Sequence, residues 1–400
     1  MRRSWYSPSM RLSSRLSDDL EPNDFFRAME KHRAQALPLL DLTISNPTQA
    51  GLEYPQEDIQ TALAEAAGHS YQPDPKGLPA ARNAVAEYYQ DHGYGPTPES
   101  IVLTSGTSEG YAFLFKLLCD PGQAILFPKP SYPLVELIAE LEGVVARPYP
   151  LAVKDRRWHV ADLFENLTTD ARAVVAVSPN NPTGSMLTGK ELRELSGFCA
   201  SRQLALIVDE VFLDYPSPER EGDVVSAVGN PDALTFTLGG LSKSCGLPQM
   251  KLSWITVSGP QPEARQALSR LEFIADAFLS VGTPVQQAAP VLLALGKQVR
   301  EQIHRRINAN DALLREILRE YPEAPIAPRE GGWYAVIGLP AENDDEDLAI
   351  NLLESRSVLV QPGFLYDYDD PVIVVSLITP EAEFREGAQR IRDYLRTSRK

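Results

Sequence analysis

Runs of apolar residues that end in polar turns dominate the chain from about residue 55 to about residue 260. The runs at 101–103, 173–177 and 204–208 are almost wholly apolar, which is typical of strands buried on both faces of a parallel sheet. Between such runs, 80–90 and 189–202 have the spacing of amphipathic helices. The alternation predicts an α/β fold with a large, mostly parallel sheet flanked by helices.

The remaining segments predict a smaller α+β domain. Helical periodicity from 262 to 321 is interrupted at 278–284, where Ser-Val-Gly-Thr-Pro should turn the chain near the site. Strand patterns at 333–337, 358–360 and 372–377 precede a last helix from Glu381, and the first 50 or so residues should join them. We therefore predict a large domain over 55–260 and a small domain formed by 1–54 and 261–400.

Composition narrows the class of protein. At 400 residues with 43% apolar content, the chain can bury a large core, and its formal charge of −16 (38 − 54) argues against a nucleic-acid surface. The sequence has no run of about 18 apolar residues, so we predict no membrane span. Three cysteines and five histidines show no metal-ligand spacing, so we predict no metal site and a reducing, cytoplasmic compartment.

Lys243 is the residue that most clearly suggests covalent chemistry. It lies in a stretch of small, turn-forming residues between two strand-like runs. A desolvated lysine forms Schiff bases with aldehydes once its pKa falls towards neutrality, although a lysine in such a loop is usually solvated. Other segments of the chain must decide between these two interpretations.

Three segments favour the interpretation that Lys243 is reactive. Asn181 opens the motif Asn-Pro-Thr-Gly just after the run at 173–177, and Asp209 follows the run at 204–208. Ligands gather at the carboxyl ends of strands in open α/β sheets, so both residues are expected at a site. The run at 101–104 enters a Gly/Ser/Thr turn before a helix, an arrangement that offers backbone N–H groups to a phosphate.

In this order and spacing the four segments resemble the pyridoxal-phosphate (PLP) aminotransferases of fold type I, the class I/II family that includes aspartate aminotransferase. Asp209 follows Asn181 by 28 residues (209 − 181), and Lys243 follows Asp209 by 34 (243 − 209). The resemblance covers nearly the whole chain. The resemblance implies a PLP-dependent transaminase with a large cofactor domain. It also implies a homodimer whose N-terminal arm contacts the partner subunit. The N-terminal arm is basic, and transit peptides share this bias.

The resemblance assigns the central roles to three residues. Lys243 would hold PLP as a Schiff base and then move the proton of the substrate's α-carbon. Asp209 would keep the pyridinium nitrogen protonated, and Asn181 would bind the phenolic oxygen and border the substrate carboxylate. From the residues alone, Asp209 could instead cap a turn.

Further cofactor contacts also follow from the resemblance. Gly106, Thr107 and Ser108 would cradle the phosphate, which is compatible with an ordinary helix N-cap. Tyr132 matches the aromatic residue that stacks on the cofactor, although it could simply pack under a proline-rich loop. Tyr71 matches the tyrosine that reaches the phosphate of the neighbouring subunit.

The chain departs from the family pattern at three positions. Lys251 stands where the family usually has a phosphate-binding arginine, which keeps the charge but loses the guanidinium fork. Phe212 replaces a tyrosine that donates to the phenolic oxygen, and Tyr215 is a doubtful substitute. Val374 occupies the place of the arginine that clamps the substrate α-carboxylate, for which we consider Arg329 as a replacement.

The predicted function is amino-group exchange between an amino acid, or a related amine, and a 2-oxo acid by a ping-pong mechanism. Two alternatives remain at this stage: a PLP-dependent lyase acting by β-elimination on the same fold, and a non-catalytic PLP-binding protein. The identity of the donor and the acceptor stays open, because no residue can be assigned to a substrate side chain.

Overall fold

The computed structural model describes residues 13–16, 21–66, 70–154, 157–160 and 168–397. Residues 1–12 and 17–20, which make up most of the predicted N-terminal arm, lie outside this set. The strands are β1 (Leu40–Asp41), β2 (Ile101–Thr104), β3 (Ala124–Lys129), β4 (Val145–Lys154), β5 (Arg157–Val160), β6 (Ala171–Val177), β7 (Ala205–Asp209), β8 (Thr235–Gly240), β9 (Ser253–Ser258), β10 (Tyr334–Gly338), β11 (Val358–Leu359), β12 (Gln361–Pro362) and β13 (Val372–Ser376). The helices are α1 (Asp24–Ala34), α2 (Gln56–Ala66), α3 (Pro79–Asp91), α4 (Thr107–Leu118), α5 (Leu134–Leu141), α6 (Gly189–Arg202), α7 (Leu241–Ser244), α8 (Gln261–Asp276), α9 (Thr283–Ile317), α10 (Asp345–Arg356) and α11 (Glu381–Thr397).

An eight-stranded sheet forms the centre of the structure, in the order β2-β9-β8-β7-β6-β3-β4-β5. Pairing is parallel from β8 through β7, β6 and β3 to β4, whereas β9 runs antiparallel to both its neighbours and β5 closes an edge hairpin with β4. The predicted α/β fold with a mostly parallel sheet is thus confirmed.

Helices cover both faces of this sheet. In β6, Ala173 and Val175 belong to the core shared with α4, α5 and α8, while Val174 and Ala176 belong to the core shared with α6. Alternate side chains of a strand point to opposite faces, so a strand buried on both faces must be apolar throughout. This requirement explains the uninterrupted apolar runs in the sequence.

The C-terminal segments form a second, smaller layer. Strands β10, β13 and β12 pair antiparallel, and the short β1 pairs with β11. Their core includes apolar residues of α10, α11 and the second half of α9. The N-terminal segment contributes α1, which the sequence patterns did not predict, because only Phe25 and His32 of its side chains are buried.

Two helices connect the layers. The predicted interruption near 278–284 is present, since α8 ends at Asp276 and α9 begins at Thr283. Apolar residues of α8 and of the first half of α9 pack with the large sheet and its helices, although they follow residue 260. The division into domains at residue 260 stays a prediction. Among the described helices, none is long and apolar enough to cross a membrane.

Candidate active site

Four strands of the large sheet bring their carboxyl ends together at one edge. Thr104 ends β2, Val177 ends β6, Asp209 ends β7 and Gly240 ends β8. A cavity of about 280 Å³ opens there, and residues from the large sheet and from the β10-β13-β12 sheet line it. The predicted site residues Thr107, Tyr132, Asn181, Asp209 and Lys243 all contribute to its wall.

Lys243 is held from its backbone and points its amine into this cavity. The Tyr215 hydroxyl donates to the Lys243 carbonyl at 2.6 Å, and Arg300 donates to the Ser244 carbonyl at 2.8 Å. The amine donates to the Ser45 carbonyl at 3.4 Å and lies 4.7 Å from the centroid of the Trp333 ring. Burial lowers the pKa of Lys243 to about 8, although the nearby Asp209 favours the charged form. About half of the amine is therefore unprotonated, and available as a nucleophile, at a pH of about 8.

Asp209 is a buried carboxylate with two fixed hydrogen bonds. The Tyr111 hydroxyl donates to Oδ2 at 2.9 Å, and the Val211 N–H donates to Oδ1 at 3.1 Å. Burial raises the pKa of Asp209 to about 6, and the two hydrogen bonds limit this rise. Asp209 is thus ionised at neutral pH and ready to pair with a cationic group in the cavity.

Two loops are joined beside Asn181. Asn180 accepts a hydrogen bond from the Ser131 hydroxyl at 2.8 Å and donates to the Pro130 carbonyl at 2.9 Å. This junction fixes the loop of Tyr132 against the Asn-Pro-Thr-Gly turn. Asn181 Oδ1 is buried on the cavity wall, and no described residue forms a hydrogen bond with it.

The Gly/Ser/Thr turn lies at the same edge. Gly106 is the N-cap of α4 and Thr107 is its first residue, so the first N–H groups of the helix have no intrahelical partner. A Cβ added to Gly106 would lie 3.3 Å from Lys251 Nζ, which places the ammonium beside the turn. Ser108 is exposed in this first turn. The predicted phosphate-binding residues are therefore brought together.

Two predicted residues lie away from this cavity. Arg329 does not line it, because its guanidinium donates to the Gly332 carbonyl at 3.3 Å and lies 3.7 Å from the Asp311 carboxylate. Tyr71 is 70% exposed and lines a separate cavity with residues of the 279–283 segment. Within one chain, neither side chain is brought to Lys243.

The positions that depart from the family pattern are also placed. Val374 is fully buried in β13, and Phe212 lines the cavity while its ring packs against Trp333. Tyr215 cannot replace the missing tyrosine, because its hydroxyl is used by the Lys243 carbonyl.

Sequence reasoning missed several polar residues that line the cavity, among them Ser45, Tyr111, Gln361 and Tyr366. Tyr111 could have been found, since it lies one helical turn after Thr107 and thus on the same face of α4. Gln361 and Tyr366 carry no such signal, because their place in the cavity depends on how β12 pairs with β13.

The sequence from residue 38 to residue 391 matches the family model described as aminotransferase class I and II. The chain belongs to the class I and II aminotransferase family. It is similar to glutamate-pyruvate aminotransferase AlaA of Haemophilus influenzae, with 28% identity over 83% of this chain and 84% of that protein. It is also similar to alanine aminotransferase of Mycobacterium tuberculosis, with 28% identity over 84% of this chain and 81% of that protein.

Solved structures show the same fold. Alanine aminotransferase from Pyrococcus furiosus superimposes with a TM-score of 0.87 at 22% identity and covers 97% of this chain and 100% of that one. An aminotransferase from Escherichia coli superimposes with a TM-score of 0.84 at 24% identity and covers 97% of this chain and 98% of that one. This aminotransferase is accordingly a PLP-dependent transaminase that exchanges an amino group between an amino acid and a 2-oxo acid.

The residues of the cavity fit PLP. An amine, a buried carboxylate and a side-chain amide occupy one wall, provided by Lys243, Asp209 and Asn181, and the NH₂ group of the amide can donate to the phenolic oxygen. The N-terminus of α4 and the Lys251 ammonium supply the positive potential that a phosphate requires. In the described part of the chain, no group of His, Cys, Asp and Glu side chains is placed to hold a metal ion.

Proposed function

We propose that Lys243 is the catalytic amine of this transaminase. The observation that carries the proposal is that a lysine with a lowered pKa and the Asp209 carboxylate share one cavity. Lys243 Nζ would attach PLP covalently, and after substrate binding it would take the proton from the substrate's α-carbon. PLP, when bound, supplies the electron sink that stabilises the negative charge left on that carbon.

Asp209 and Asn181 would hold the cofactor ring. Asp209 would keep a proton on the pyridinium nitrogen, and its hydrogen bonds to Tyr111 and Val211 prevent the carboxylate from turning away. Asn181 would bind the phenolic oxygen of the ring with its amide and would border the substrate carboxylate. The Tyr132 ring would stack on the cofactor.

The phosphate would be bound by Gly106, Thr107 and Ser108 at the start of α4, with Lys251 as the counter-charge. An ammonium is a point charge without the fork of a guanidinium, so this contact supplies charge with little directional preference. We do not assign Arg329 to the substrate, because the Asp311 carboxylate already pairs with it.

We further propose a homodimer in the cytoplasm. Tyr71 and Phe273 expose 70% and 80% of their surface, an apolar excess that a partner subunit would cover. In such a dimer Tyr71 would reach the phosphate of the neighbouring subunit. The three cysteines are unpaired, which agrees with a reducing compartment.

A trapping experiment tests the role of Lys243. Borohydride reduction of the PLP-loaded protein should leave one covalent adduct, and peptide mapping should locate it at Lys243. Lys243→Ala should lose the adduct and reduce amino transfer by at least about 10³-fold, since Lys243 is the only amine among the described residues that line the cavity. Lys190→Ala on the exposed face of α6 is the control and should behave like the wild type. A Lys243→Ala protein that is still trapped at full yield would contradict the assignment.

The substrates are best sought among those that the names of the relatives suggest. Alanine with 2-oxoglutarate and glutamate with pyruvate form the first pairs to assay. Amines without a carboxylate belong in the same assays, because Val374 cannot bind a carboxylate.

A further inference from the structure

The cavity contains very little charge for a site that handles carboxylates. Among the described residues that line it, Lys243 is the only basic side chain and Asp209 the only acidic one. Both have assigned roles towards the cofactor in the proposed function. Within one chain, the substrate carboxylate must therefore be met by neutral hydrogen-bond donors, because a buried anion without partners is strongly unfavourable.

Gln361 is a neutral donor that lies beside Val374. It lies in β12 directly opposite Val374 of β13, and Val374 is flanked on its other side by Val336 of β10. Directly opposite residues of an antiparallel pair project from the same face of the sheet. The amide of Gln361 therefore lies beside the apolar position that Val374 occupies, and it lines the cavity.

Tyr366 fixes the orientation of this amide. Its hydroxyl donates to Gln361 Oε1 at 2.7 Å, and its carbonyl accepts the Ser131 N–H at 3.2 Å. Tyr366 is buried, so this arrangement has little freedom to change. Because Oε1 is occupied, the Gln361 NH₂ group is left as the donor, and no described residue accepts a hydrogen bond from it.

We propose that Gln361 binds the carboxylate of the amino acid substrate through its NH₂ group, as a neutral donor in place of a cation. Tyr366 is the positioning residue that keeps the amide oxygen away from the anion. The inference rests on the proposed function, since it assumes that the substrate enters this cavity. A neutral amide offers directed hydrogen bonds to a carboxylate without the long-range attraction of a guanidinium.

The test measures binding without turnover. The PLP-loaded protein is titrated with 2-methylalanine and with its carboxamide, neither of which has an α-hydrogen, and the visible absorption reports the dissociation constants. Gln361→Glu retains the acceptor for Tyr366 but places a carboxylate against the carboxylate of the ligand. Its affinity for 2-methylalanine should fall at least roughly 100-fold, while its affinity for the carboxamide should change less than about threefold.

Two more variants complete the design. Gln361→Met removes the hydrogen-bond donor without adding a charge, and it should weaken 2-methylalanine binding roughly 10- to 100-fold. Gln302→Met is the matched control, because the Gln302 amide bonds the backbone of Glu53 and does not line the cavity. Its affinities should equal those of the wild type.

The possible failures can be told apart. Wild-type affinity of Gln361→Glu for 2-methylalanine would overturn the role of Gln361, including the case in which a partner subunit supplies a cation. Equal weakening of both ligands in Gln361→Glu would also overturn it, because charge would then not be what is recognised. If the proposed function itself is wrong, the wild-type protein shows no reducible adduct at Lys243 before any ligand is added.

Discussion

Burial sets the reactivity of Lys243 at the scale of the single residue. Its ammonium would be solvated in a surface loop, but the walls of the cavity remove water and lower its pKa to about 8. The Asp209 carboxylate acts in the opposite direction, because its negative charge favours the ammonium. The reactivity of the amine is therefore a balance between desolvation and one nearby charge.

This balance predicts the pH dependence of the amine. Only the unprotonated amine attacks an aldehyde, so the rate of adduct formation with pyridoxal should rise with pH, with its midpoint at about 8. Asp209→Asn should move the midpoint to lower pH, because the charge that favours the ammonium is gone. The measurement is the initial rate of absorption change at each pH. A midpoint near 10.4, the ordinary value for lysine, would contradict the burial argument.

At the scale of secondary-structure elements, α9 packs against α7, the short helix that contains Lys243. A Cβ added to Gly296 of α9 would lie 3.1 Å from Cys245 Cα and closer still to Cys245 Sγ. Cys245 is fully buried, so its side chain has no space into which to move. The absence of a side chain at Gly296 is what allows the long helix to approach the short one.

Gly296→Ala should therefore destabilise the protein. Overpacking a filled core costs about 1–3 kcal/mol, which exceeds the gain of about 1 kcal/mol that alanine brings to a helix. The measurement is the urea midpoint of the PLP-free protein. Gly197→Ala in α6 is the matched control, since a Cβ at Gly197 meets no atom within 4 Å, and it should stabilise by about 0.5–1 kcal/mol. Similar stabilisation by both changes would show that the α7–α9 contact is loose.

At the scale of the whole molecule, one chain does not complete the predicted site. The five predicted residues on the cavity wall come from the large sheet and its loops, whereas Tyr71 lies elsewhere and is largely exposed. A dimer in which Tyr71 crosses to the neighbouring site would reconcile its position with its predicted role. Such an arrangement gives each site residues from two chains.

Subunit mixing tests this arrangement. Lys243→Ala should be inactive alone, and Tyr71→Phe should lose affinity for PLP. Hybrid dimers contain one site with both residues intact, so an equal mixture that is unfolded and refolded together should reach about a quarter of the wild-type activity at limiting PLP. The same mixture assembled without exchange of subunits is the control. Activity no higher than the average of the two parents would place Tyr71 outside the neighbouring site.

The sequence alone determined the fold class and the residues at the strand ends. Lys243, Asp209, Asn181 and the turn at 105–108 follow apolar runs, and parallel strands bring their carboxyl ends to one edge, so their meeting could be inferred from order and spacing. Local patterns suffice where the connection between sequence and position is short.

Only the tertiary structure decided the contacts between distant segments. Tyr111 reaches Asp209 across 98 residues, Gln361 stands beside Val374 through the register of two strands, and Asp311 holds Arg329 away from the cavity. Periodicity carries no information about strand register or about which side chain pairs with a given charge. The pKa of Lys243 has the same origin, because desolvation depends on every group that packs over the amine.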